Sequence, residues 1–91
     1  METREIYKSA IGTYGVEAQI CMVFEEMSEL QKELCKHLRG KRGIEHRESI
    51  AEEIADVEIM LDQMKMLFEV EGKVMQHKET KIKRLGMRLR G

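Results

Sequence analysis

Apolar positions recur every three or four residues along two long stretches of the chain, the spacing that lines one face of an α-helix. In the first stretch Val16, Ile20, Val23, Phe24, Met27, Leu30, Leu34 and Leu38 form one continuous stripe. In the second, Ile50, Ile54, Val57, Met60, Leu61, Met64, Leu67 and Phe68 do the same. No alternating run reads as a strand, and there is no proline, so glycine marks the breaks: Gly12/Gly15, Gly40/Gly43, Gly72 and Gly86/Gly91. The pattern predicts an all-α fold with helices over about residues 2–12, 16–39, 47–70 and 73–89. Ser49, with Glu52 three residues on, is the expected capping box of the third helix. The connection 40–46 is short enough to return that helix antiparallel to the second, which makes a helical hairpin with flanking helices.

Length and composition narrow the classes of function. A chain of 91 residues is a single domain, residues 1–91, and one site must carry any chemistry. A monomer this small buries only roughly 60–65% of the surface its unfolded chain exposes, so self-association is expected. The eight methionines read as adaptable core filling. Cys21 and Cys35 form no CxxC pair, and His37, His46 and His77 show no zinc-type spacing with them, which argues against a structural zinc or a disulfide scaffold. Neither a membrane span nor a signal peptide is visible, and the expected location is cytoplasmic and reducing. Aromatic residues make up only 4%, too few for the stacking platforms of single-stranded nucleic-acid binders, and the net charge of −1 excludes a uniformly basic surface. Nucleic acid is therefore not an expected partner.

Local charge says more than the total. Residues 73–91 hold seven basic side chains against Glu79 alone, a balance of +6, so the remainder carries −7 to reach the net −1. An acidic body joined to a basic last helix suits a site that handles both a divalent cation and a polyphosphate. The acidic residues are also arranged. Glu25, Glu26 and Glu29 lie on the second helix and Glu52, Glu53 and Asp56 on the third, so each helix presents acids at i and i+3 on a shared face. Glu53 falls only roughly 40° from the centre of its apolar stripe, while Asp56 and Glu26 border theirs at about 100° and Glu29 lies one step further out. If the helices pack by their stripes, Glu26, Glu29, Glu53 and Asp56 converge. Like charges in a partly desolvated space destabilise a fold unless a cation neutralises them, and oxygen ligands without His or Cys favour Mg²⁺, with Mn²⁺ as the alternative ion.

The phrase Glu25-Glu26-Met27-Ser28-Glu29, followed by Glu53-Ile54-Ala55-Asp56, resembles the EExxE and ExxD signature of the MazG-like all-α nucleoside triphosphate pyrophosphohydrolases. The short first helix, the Tyr14-Gly15 break and the basic last helix extend the likeness to the short phage-type members over essentially the whole chain. The resemblance implies Mg²⁺-dependent cleavage of a nucleoside triphosphate between the α and β phosphates, giving a monophosphate and pyrophosphate. By matching positions, Glu26, Glu29, Glu53 and Asp56 are the implied metal ligands. Glu25 is the implied catalytic residue, either supporting the ligands from behind or helping to orient the attacking water, and Lys65, Lys78, Lys81 and Arg84 are implied phosphate contacts. It further implies a dimer or tetramer in which hairpins of two chains complete a four-helix bundle. The competing expectation is a non-catalytic, oligomeric helical interaction module that uses its basic last helix to hold an acidic partner.

Overall fold

Left-handed backbone torsions mark where the chain turns. Gly15 (φ 96°), Gly40 (φ 105°) and Gly43 (φ 109°) adopt conformations that a Cβ disfavours. They separate the first three helices in the computed structural model, which describes all of residues 1–91. The fold is all-α: α1 (Thr3–Tyr14), α2 (Val16–Leu38), α3 (Ile44–Leu67) and α4 (Glu71–Leu89), with no strand. No helix is long and apolar enough to cross a membrane.

Three local expectations are corrected. Gly12, Gly72 and Gly86 lie inside helices, and the last turn falls at Phe68–Val70, where Glu69 carries a φ of 54°. A single helical glycine weakens a helix by about 1 kcal/mol relative to alanine, which neighbouring hydrogen bonds outweigh. The third helix starts at Ile44 rather than near residue 47, because Gly43 sits at the N-cap and its carbonyl already accepts from the Arg47 amide at 3.1 Å. Ser49 is consequently no cap; its hydroxyl donates to the Glu45 carbonyl at 3.1 Å, a back-bond within the helix.

The most extensive packing joins α2 to α3. Gln19 meets Gln63, Glu33 approaches His46, and Glu26 lies with Glu53, so residue numbers run in opposite directions and the pair is antiparallel. The line of contact is a seven-residue repeat, Gln19, Glu26 and Glu33 on α2 against His46, Glu53 and Met60 on α3. Seven-residue spacing keeps one seam facing a partner helix as both wind, the geometry of a coiled coil. Here the seam is mostly polar: Gln19, His46 and Gln63 are buried together with Met60, and no other residue is.

Packing of the hairpin by the centres of its apolar stripes, the arrangement expected above, is thus not what the fold adopts. Phe24, Leu38 and Phe68 remain 64%, 84% and 57% exposed. At about 100° per residue both stripes are rotated roughly 50–90° from the seam, in the same sense. In antiparallel helices that offset brings their uncovered halves to one side of the hairpin. A stripe this wide outspans what one neighbouring helix can cover. The radius of gyration, 16.3 Å, exceeds the roughly 12 Å of a compact chain of this length.

Candidate carboxylate site

The middle step of the seam sets Glu26 of α2 against Glu53 of α3, and Asp56, one helical turn further, joins them. A carboxylate oxygen from each of the three lies within 4.8 Å of the others. Glu26 and Glu53 are half-buried and Asp56 is exposed. Burial raises the Glu26 carboxyl above its ordinary range. The charge of Asp56 and a hydrogen bond from protonated Glu26 to Asp56 add to this, followed by Glu53 and Glu25. Glu53 is raised as well, first by burial and then by Asp56, Glu29, Glu33 and Glu52. No lysine or arginine forms an ion pair with any of the three.

Without a shared proton or a cation this is a site of repulsion. Acceptors face acceptors, and only a proton or a cation can satisfy them. The donor set is all carboxylate oxygen, gathered from two helices and open to solvent on the Asp56 side, which fits a hard divalent ion that keeps part of its water shell.

The other predicted residues lie around this group. Glu29 is exposed, with Oε1 3.3 Å from Lys32 Nζ, outside the group of three. Glu25 is exposed beside Glu26, and Phe24, Glu25, Glu26, Ser28 and Glu29 line a shallow depression on α2. Lys65 pairs with Asp62 at 3.3 Å. It lines, with Lys78, Arg4, Tyr7 and Met66, a groove of about 600 Å³ between α1, the end of α3 and α4. Lys81 and Arg84 are exposed on α4.

Two clusters that pattern reading missed flank the carboxylates on the same seam. Toward the open end, Gln19 Nε2 donates to Gln63 Oε1 at 2.7 Å, both residues buried. Toward the loop, His46 is 2% exposed, and its Nδ1 lies 3.8 Å from Glu33 Oε2. Neither ring nitrogen has a hydrogen-bond partner. His37 stacks on His46 with centroids 5.5 Å apart. Burial first, then the charges of His37, Lys41 and Arg42, lower the His46 pKa against the raising effect of Glu33, so the ring is neutral at pH 7. Glu33 is held low mainly by its 2.9 Å hydrogen bond from Lys36. The signal that locates all three clusters is the seven-residue repeat at the polar border of the stripes.

No protein-family model, curated protein or solved structure matches the chain.

Proposed function

We propose that the protein is a MazG-like, Mg²⁺-dependent nucleoside triphosphate pyrophosphohydrolase of the cytoplasm, acting as a dimer or tetramer. The observation that carries this reading is the convergence of Glu26, Glu53 and Asp56 within 4.8 Å across two helices, with no cation of the chain to balance them. The motif resemblance supplies the reaction. Glu26, Glu53 and Asp56, with Glu29 one turn from Glu26, would hold a divalent ion, which when bound would supply positive charge to the phosphate oxygens and to the attacking water. Glu25, exposed beside Glu26, would support the ligands or orient water, while Lys65, Lys78, Lys81 and Arg84 would be the basic groups available to a polyphosphate. The exposed halves of the two apolar stripes are the surface on which a second hairpin completes a four-helix bundle.

The test is a panel of ribo- and deoxyribonucleoside triphosphates with Mg²⁺ or Mn²⁺, analysed for products. Monophosphate plus pyrophosphate is the expected pair; diphosphate plus inorganic phosphate places the cut at the other bond and removes the reading.

A second reading, the non-catalytic interaction module, is favoured by α4, whose Ile82, Met87 and Leu89 are 64%, 72% and 79% exposed among basic residues. Under that reading Mg²⁺ leaves the thermal midpoint unchanged, whereas a native-state ligand must raise it.

A further inference from the structure

Two charged strips of opposite sign lie unpaired on this chain. On α4, Lys73, His77, Lys81, Arg84 and Arg88 follow one another at intervals of four, four, three and four, which keeps them on one face over about 22 Å. All five are exposed, and none takes part in an ion pair. On α3, Glu45, Glu48, Glu52 and Asp56 follow at three, four and four, over about 16 Å. These acids too are exposed and unpaired.

Within the chain the strips do not meet. The first turn of α4 is tied to α1 by Arg4 and Glu71 at 3.2 Å. Beyond it, a groove of about 600 Å³ floored by Tyr7, Met66, Val74 and Ile82 opens between α4 and the rest of the fold. Apart from that ion pair, α4 comes close only to α3, and only slightly. The strip on α4 therefore faces outward, with a balance of +6 in residues 73–91 against −7 in the remainder of an identical chain.

We propose that α4 docks in trans, its basic strip along the acidic strip of α3 in a second copy of this chain, so that a basic side chain of one copy stands beside the carboxylate group of the other. Asp56 belongs both to the acidic strip and to that group, so docking with the two helices parallel and Lys73 beside Glu45 brings Arg84 to its edge. Complementary charge favours the docking, and its register is the one that pairs the most charges, since each shift by a turn leaves a charge at the end of a strip unpaired. The docking requires no hydrolysis and can fail or hold independently of the proposed reaction.

Carbodiimide coupling of an isotopic mixture tests it directly. Full-length ¹⁴N- and ¹⁵N-labelled chains are combined in equal amounts in urea, refolded together and treated with the zero-length reagent, which joins lysine amines to carboxylates in contact. The expected products are mixed-isotope peptides linking Lys73 or Lys81 to Glu45, Glu48, Glu52 or Asp56. Links that occur only as single-isotope pairs, with no mixed pairs, show α4 folding back on its own α3 and overturn the proposal; so does the absence of links to these acids. In the Arg84→Glu/Arg88→Glu variant, with helicity checked by circular dichroism, mixed links from Lys81 fall at least about tenfold, because reversed charges oppose the acidic strip. An unchanged yield in that variant also overturns it.

Discussion

The Gln19–Gln63 pair and the Glu26–Glu53–Asp56 group sit on the same seam, built from side chains of nearly the same shape, yet they are opposite in kind. The amide pair is neutral, buried at 6% and 5% exposure, and closed by a donor meeting an acceptor at 2.7 Å. The carboxylate group is less buried, and its acceptors face one another, so the chain alone cannot satisfy it. A buried polar contact stabilises when the two sides are complementary in hydrogen bonding, and strains the fold when they are alike. One cluster holds the hairpin together; the other is tolerated by it, and the proposed ion would relieve it.

The largest expected effect is on activity. Glu53→Gln keeps the size of the side chain and removes a charge from the group. Under the proposed reaction this removes a ligand whose ion would supply several kcal/mol of transition-state charge stabilisation, and the expected kcat/KM falls by on the order of 10²–10³, read by pyrophosphate release. Next, Mg²⁺ raises the thermal midpoint of the parent: at a free concentration about 100 times Kd the gain is about 2.7 kcal/mol, and Glu53→Gln shows little of it. Calorimetry with and without the ion measures both.

The amide pair responds in the opposite direction. Gln63→Ala leaves the buried Gln19 amide without its partner and costs about 1–3 kcal/mol, each kcal/mol lowering the midpoint of a domain this size by roughly 4–8 °C. The Gln19→Leu/Gln63→Leu double variant recovers most of that loss, a contrast that urea titration of both variants reads. In metal-free solution Glu53→Gln melts at or above the parent, because it removes repulsion. A clear fall in its midpoint would make Glu53 a structural partner like Gln63 and dissolve the contrast.

The smallest effects are in pH. Glu26 and Glu53 have raised pKa values, so between about 4.3, the unfolded value, and their folded values the native state holds more protons. Their ionisation therefore weakens the metal-free fold as pH rises through that window. His46 has a lowered pKa, so the stability from its neutral form is present above the unfolded value of about 6.5 and is lost as pH falls toward the folded one. Urea midpoints measured across pH 4–8 separate the two, because His46→Gln flattens only the part just below pH 6.5, while Glu53→Gln flattens the part at which the carboxylates ionise.

Much of the fold was legible in the residues. Four helices and the antiparallel hairpin follow from spacing and loop length, because three- and four-residue recurrence is a direct projection of helical geometry. The same geometry puts the acids of each helix on one face, but Glu26, Glu53 and Asp56 meet through the polar seam rather than through stripe-centre packing, and Glu29 stays outside. Helix starts were less legible, since Gly43 takes over the N-terminus of α3 from Ser49 through a torsion angle that composition does not display. The seam as a whole is not legible, although Glu26 and Glu53 stand out against the stripes. All members of its repeat but Met60 are polar, and apolar periodicity does not display a polar repeat of seven. Gln19 and Gln63 become recognisable as a pair only once antiparallel packing sets them opposite each other.

The sequence by itself determined which residues are helical, which face of each helix is apolar, and that acids and bases are segregated along the chain; these depend on neighbours within a few positions. Only the tertiary structure decided which line of each helix meets the other. That choice weighs every contact of the two helices at once, and in this chain it sets three carboxylates together while leaving large apolar side chains and a basic helix facing outward.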